Sequence, residues 1–245
     1  MAVAGLTSVT FRELSAAEVL CLAKEAGLAG LEWGGDIHLP PERPELAEEL
    51  ARRTAQAGLR SLSYGSYHRL CQGMDFQPVL KAAARLGAPN IRIWAGDRSP
   101  AQADAAYRAQ AARELEALCR QAAGEGIRIS LEYHRQTLTE TLESALELLK
   151  QAGAENLRSY WQPNPDLSHE ANCRELEGIR PWLSGVHVFQ WEPGNIRHPL
   201  EEGRPQWSEY VSLAGRDCPY LLEFVKDDSP EQLLRDASVL LELLA

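Results

Sequence analysis

Short apolar runs alternate with longer stretches in which apolar residues recur every three to four positions, and the alternation continues along the whole chain. The short runs predict eight strands, near Gly5–Thr10, Gly30–Trp33, Arg60–Tyr64, Asn90–Ala95, Arg128–Tyr133, Arg158–Gln162, Gly185–Phe189 and Tyr220–Val225. Between them the helical period picks out Ala16–Ala26, Glu45–Ala57, Phe76–Leu86, Ala103–Glu125, Glu140–Gln151 and Pro230–Leu244, with fainter patterns at Glu170–Trp182 and Trp207–Leu213. The strands recur about every 30 residues, the length of one strand–helix unit.

Glycines punctuate the passage from helix to strand in AGLAGLEW, QAGLRSLS, RLGAPNIRIW and GEGIRISLEY. Glycine takes the left-handed conformation that ends a helix at little steric cost. At the last helix, Ser229 is placed to cap and Pro230 to occupy the first helical position. No linker-like or low-complexity stretch interrupts the pattern, so residues 1–245 read as one domain. Eight such units fit a closed (β/α)8 barrel better than an open, doubly wound sheet. No GxGxxG or GxxxxGK[ST] follows the first strand, which removes the main warrant for a nucleotide-binding sheet.

Composition narrows the class. A length of 245 residues is near the roughly 250 of a single α/β barrel. The five cysteines, Cys21, Cys71, Cys119, Cys173 and Cys218, form no CxxC pair and read as small buried hydrophobes in a reducing, cytoplasmic setting. The opening MAVAGLTSVTFREL has neither a basic segment nor a long apolar run, and no stretch is long and apolar enough to span a membrane. A net charge of −10 argues against generic nucleic-acid binding but not against a small neutral ligand.

In an α/β barrel the chemistry sits at the carboxyl ends of the strands. Those ends carry Glu32-Trp33, Tyr64, Trp94, Glu132-Tyr133-His134, Trp161-Gln162, His187 and Glu223. Carboxylates ending apolar strands need a partner, because burying an unpaired charge is costly. Two glutamates, a histidine and an amide converging on one rim suit a divalent cation with oxygen and imidazole ligands.

The segments GLEWGGDIHLP, IRIWAG, ISLEYH, GVHVFQW and YLLEFV, in this order, resemble the xylose-isomerase-like barrels of the sugar phosphate isomerase/epimerase type. The resemblance spans almost the whole chain. It implies a divalent metal (Mn2+, Mg2+, Co2+ or Zn2+) held by Glu132, Gln162, His187 and Glu223. It also implies acid/base roles for Glu132 and Glu223 in proton abstraction next to a sugar carbonyl. The chain departs from that family at Gln162, where aspartate is usual, and at Pro165, where histidine often stands. The amide removes one negative charge and lowers the expected metal affinity, with Asp166 close by in sequence. The resemblance further points to Arg197, in the loop after the seventh strand, as a contact to substrate oxygens, with Gly203 shaping the turn.

Further lining candidates are Glu32, His38, Tyr64, His68, Trp94, His134 and Lys226. An aromatic face such as Trp94 can stack on a sugar, and His38 and His68 can reach hydroxyls. Plainer roles stand beside these. Glu132 and Glu223 could be ion-paired to Arg92 or Lys226, His187 could be a hydrogen-bonded core residue, and Gln162 could satisfy buried backbone. Trp33, Trp161, Trp182, Trp191 and Trp207 are expected to pack, as is Cys119. His169 and His198 receive no role.

The leading expectation is a metal-assisted isomerase or epimerase of a small sugar or polyol, as a possible homo-oligomer. The rivals are a lyase of the inosose-dehydratase type on the same barrel and a sugar-binding barrel that has lost its metal. An apurinic-endonuclease relative would need more histidines than the six present, and a basic face.

Overall fold

The computed structural model describes residues 2–245. Eight parallel strands close into a barrel: β1 (Val3–Thr7), β2 (Gly30–Gly34), β3 (Arg60–Arg69), β4 (Asn90–Trp94), β5 (Arg128–Leu131), β6 (Leu157–Trp161), β7 (Leu183–Val188) and, beyond a small hairpin, β10 (Pro219–Leu222). The hairpin, β8 (Gln190–Glu192) and β9 (Ile196–His198), stands on the rim after β7. Eight helices surround the barrel: α1 (Ala16–Glu25), α2 (Glu45–Gln56), α3 (Gln77–Leu86), α4 (Ala105–Ala123), α5 (Leu142–Ala152), α6 (His169–Ile179), α7 (Arg204–Ala214) and α8 (Pro230–Leu244). The ring closes where β1 pairs with β10, Val3 opposite Pro219 and Leu6 opposite Leu222. This is the single (β/α)8 barrel that the strand count favoured over the open sheet. No helix among the described residues is long and apolar enough to cross a membrane.

Local chemistry sets the element ends. Ser15 and Glu18 form a reciprocal capping box on α1, and Asp104, Thr141, Ser168 and Ser229 cap α4, α5, α6 and α8 through their side chains. Gly87 ends α3 at a φ of 68°, as the sequence pattern implied. In β4, Ile91 and Ile93 join the apolar layer between strands and helices. The period of two then sends Asn90, Arg92 and Trp94 to the opposite face, toward the barrel axis.

Inside the barrel two polar tiers lie one above the other. In the lower tier the Asn90 amide donates to Ser63 Oγ at 3.0 Å, and Ser130 and Ser184 share a hydroxyl contact of 2.8 Å. Gly185 leaves room for the Tyr160 ring, which would lie 2.7 Å from a β-carbon there. The upper tier is the charged floor of the barrel mouth.

Among the cysteines, all five are free; Cys119, Cys173 and Cys218 are buried, but Cys21 is exposed on α1 and Cys71 half-buried, against the expectation of five core thiols. Trp33, Trp161 and Trp207 are fully buried, as expected. Trp191 instead faces the mouth cavity, because its place on the rim hairpin lifts it clear of the core.

Candidate active site

A cavity of about 290 Å3 opens at the carboxyl ends of the strands, bordered at its base by Arg92, Glu132, Gln162 and Glu223. Glu132 and Glu223 each stand one residue past the end of a strand, yet both are fixed by the neighbouring strand. The Glu132 N–H donates to Ile93 O at 2.9 Å, and the Glu223 N–H donates to Val188 O at 3.0 Å. Phe224, directly after Glu223, is held at a φ of 48° with its N–H on Thr10 Oγ1 at 3.1 Å. A left-handed phenylalanine costs energy, and here it turns the chain sharply behind Glu223.

Arg92 is the hub of the floor. Its Nε donates to Glu32 Oε1 at 2.7 Å and its Nη1 to Glu132 Oε2, all three side chains being buried. Gly65 makes room for this pair, since a β-carbon there would sit 2.6 Å from Glu32 Oε1 and 2.8 Å from Arg92 Nη2. We expect Gly65→Ala to destabilise the protein by about 1–3 kcal/mol by forcing the ion pair apart, read as a lower thermal midpoint. An unchanged midpoint would mean that the floor yields.

His187 completes the floor. Its Nδ1 lies 2.9 Å from Gln162 Oε1 and 3.3 Å from Glu223 Oε2, and its Nε2 lies 3.7 Å from Glu32 Oε1. Tyr160 meets the imidazole edge-on with ring centroids 5.1 Å apart.

The protonation states follow from these contacts. Burial works to raise the Glu32 carboxyl, but the Arg92 charge and His187 outweigh it and hold it down at about 2. Burial opposes charge on His187, yet Glu223 and Glu32 raise its pKa above the ordinary histidine value. Burial pushes Glu223 up, opposed by His187 and assisted by the nearby Glu132 charge. Glu32 is therefore an anion at neutral pH, whereas Glu223 accepts a proton more readily than an ordinary carboxylate.

The walls are aromatic. On one side Trp94 is covered by the His134 ring, 4.3 Å between centroids, and by the Arg69 guanidinium at 3.7 Å. On the other, Phe189 and Trp191 pack at 4.6 Å, with Phe224 6.0 Å beyond. Over the opening, Arg135 donates to Asn195 Oδ1 at 2.7 Å and lies 3.9 Å from Asp166, tying the loops after β5 and β6 to the hairpin.

Of the residues singled out from sequence, Glu132, Gln162, Glu223, Trp94 and His134 border the cavity. His187 and Glu32 lie directly beneath. The others are placed elsewhere. His38 is engaged by Ser8 Oγ at 2.9 Å and Leu14 O at 3.0 Å, bracing the loop after β2. Tyr64 is buried and donates to Leu39 O at 2.7 Å. His68 is buried edge-on against Phe76, 3.7 Å from Glu114. Arg197 pairs with Asp228 behind the wall, its guanidinium 5.2 Å from the Phe224 ring, and Lys226 sits in the turn after β10, outside the cavity lining. Asp166 lies in the exposed loop near Arg135 and not beside His187. At Gly203 the missing side chain leaves room for Gln190, and its φ of −97° is one that any residue adopts.

Sequence reasoning missed Tyr67, Arg135, Asn164 and Asn195 among the lining residues. Arg135 had a readable signal, a cation immediately after the strand-end motif EYH. Arg92 was foreseen only as a partner for Glu132, and the structure makes it that partner.

The donor set suits a divalent cation in part. His187 Nδ1 is spaced from Gln162 Oε1 and from Glu223 Oε2 as neighbouring ligands of one ion are, since bonds of about 2.1 Å at right angles leave donors about 3 Å apart. Glu132 is drawn off by Arg92 and does not form a mutually close trio with His187 and Glu223.

The chain matches the model of a known family, the xylose isomerase-like TIM barrel, over residues 20–241. It belongs to that family. Within it, a 3-dehydroshikimate dehydratase of Bacillus anthracis is 24% identical over 212 residues, covering 80% of this chain and 74% of that protein. The crystal structure of the probable 3-DHS dehydratase AsbF of Bacillus anthracis superposes with a TM-score of 0.83 at 20% identity, covering 98% of this chain and 99% of that one. A 3-keto-D-glucoside 4-epimerase of E. coli follows with a TM-score of 0.75 at 17% identity over 99% of both chains. A xylose isomerase-like barrel of Mycobacterium smegmatis, solved with magnesium, gives a TM-score of 0.69 at 18% identity, covering 100% of this chain and 98% of that one. At these identities the structural likenesses bear on the fold alone.

Proposed function

We propose that this xylose isomerase-like barrel is an isomerase or epimerase of a small sugar or polyol, working by proton abstraction next to a carbonyl. One observation carries the reading: two buried carboxylates, Glu132 and Glu223, flank a mouth cavity whose floor holds His187 and Gln162 between fixed charges. The residues that would hold a divalent metal are His187, Gln162 and Glu223, while Glu132 is engaged by Arg92. When bound, the metal would polarise the carbonyl and the adjacent hydroxyl.

The chain's own residues do the rest. Glu223, its carboxyl raised by burial, takes the carbon-bound proton; isomerisation returns it to the neighbouring carbon on the same face, and epimerisation needs a proton delivered from the opposite face. Glu132 serves the opposite side of the substrate, its carboxylate aimed by Arg92. Trp191 and Phe224 in the cavity wall offer apolar surface to a ring and limit water.

A second reading, a dehydratase, shares the first proton transfer and differs in the fate of the intermediate, which loses a β-hydroxyl instead of regaining a proton on carbon. The sequence relative named above favours it, as does Arg135, a cation at the cavity mouth suited to a substrate carboxylate.

The test is turnover by Mn2+-, Mg2+- or Co2+-loaded protein on ketoses, aldoses, keto-inositols and 3-dehydroshikimate, with products weighed by mass spectrometry. Products of unchanged mass support isomerisation, and products lighter by one water support elimination. In the second case Arg135→Ala should raise KM roughly tenfold or more, the loss of a charge-assisted contact. Binding without turnover would leave the sugar-binding barrel as the correct reading.

A further inference from the structure

Outside the barrel mouth, α6 and α7 bring a second set of ligating groups together. His169 and Cys173 are one turn apart on α6 and so share a face, and Glu209 reaches them from α7. His169 Nε2 lies 2.7 Å from Glu209 Oε2 and 3.6 Å from Cys173 Sγ, and one donor atom from each residue falls within 4.8 Å of the other two. The other ring nitrogen, Nδ1, faces Tyr210 Oη at 3.0 Å. With its proton donated to that oxygen, the imidazole turns the Nε2 lone pair toward the thiol and the carboxylate, as the outer partner of a metal-bound histidine does.

The spacing has a specific meaning. Bonds of about 2.3 Å to sulfur and 2.0–2.1 Å to nitrogen, at a tetrahedral angle, put S and N about 3.5 Å apart. A histidine–glutamate ion pair would account for His169 and Glu209 alone. Helix spacing adds the Cys173 thiol beside the same nitrogen, so that three donors of different chemistry converge.

We propose that His169, Cys173 and Glu209 form a binding site for a zinc-type transition-metal ion, with a fourth position open to water or a small anion. Thiolate and imidazole together select Zn2+ or Co2+ over Mg2+. His169 and Tyr210 border a small cavity that shares Pro163, Asn164, Pro165 and Trp191 with the mouth, which gives the ion and its fourth ligand a path. Bound there, the ion pins α6 to α7. Asn172 on α6 accepts the Asn164 N–H at 2.7 Å, so the clamp also steadies the loop that follows Gln162.

Cobalt separates this site from the mouth, whose candidate ligands include no sulfur. Chelator-stripped protein titrated with Co2+ should develop a thiolate-to-cobalt charge-transfer band in the near ultraviolet. Cys173→Ser and His169→Gln should abolish it, and Glu132→Gln/Glu223→Gln should retain it. In the Glu132→Gln/Glu223→Gln background Zn2+ should still raise the thermal midpoint, and that shift should vanish when His169→Gln is added. His169 is only partly buried, so this variant carries the test should Cys173→Ser fail to fold. Folded protein that shows no band in excess Co2+ overturns the proposal. So does a band that survives His169→Gln, which would belong to another thiol such as the exposed Cys21.

Discussion

Replacing Arg92 with methionine is expected to destabilise the protein by about 3–5 kcal/mol, because it strands two carboxylates in the barrel without a cation. Glu32 would lose the partner at 2.7 Å that, with His187, holds it at about 2. Glu132 would lose its only hydrogen-bond partner for the carboxylate among the described residues. The double variant Arg92→Met/Glu32→Gln should recover part of the loss, and the recovered part is the coupling between the two side chains.

The pH dependence separates this from a packing effect. In the parent protein Glu32 is depressed from 4.5 to about 2, so its contribution is fully present above pH 4.5 and fades as pH falls toward 2. In Arg92→Met the depressing charge is gone and burial dominates. Glu32 is then raised, and its penalty grows as pH rises through its new pKa. Denaturant midpoints of both proteins across acid and neutral pH give the answer. Parallel curves would mean that Arg92 contributes through its methylenes alone.

The largest expected effect on activity is at Glu223. Glu223→Gln should lower kcat/KM by roughly a hundred- to ten-thousand-fold, the range for loss of a positioned acid/base group. The fold should survive, because the amide is nearly isosteric and the buried charge it removes is costly rather than stabilising. As a base Glu223 must be ionised, and burial raises its pKa. Residual activity in Glu223→Gln should therefore lack the acidic limb that ionisation of Glu223 gives the parent's kcat/KM. A variant of full activity, or a limb that persists, would remove Glu223 from the reaction.

The architecture was legible because each strand–helix unit repeats the same signals, and eight repeats reinforce one another. Individual strand ends were less so. The fifth and eighth strands were read as running to Tyr133 and Val225, whereas their ladders stop at Leu131 and Leu222. The apolar run continues there because Tyr133 and Val225 stay buried although they lie past the ends of the ladders. The rim hairpin escaped notice although WEPGNIRH carries a turn between two short arms, Trp191 opposite Arg197.

The site divides along the same line. Glu132, His187 and Glu223 could be placed because a charge at the end of an apolar strand has few other uses. Tyr64 and His68 share strand β3 with no such constraint, and only the pleat and the bulge in that strand send them away from the mouth. The pairing of Arg92 with Glu32 joins residues 60 positions apart. Their meeting depends on the barrel's closing and on Gly65 between them, which no local pattern announces.

The seam of the barrel lies between β1 and β10, the first strand and the last. The last strand also delivers Glu223, whose backbone is latched to Val188. Glu32, Arg92, Glu132 and His187 all precede that strand in the chain, so the strand that seals the ring is also the one that completes the floor.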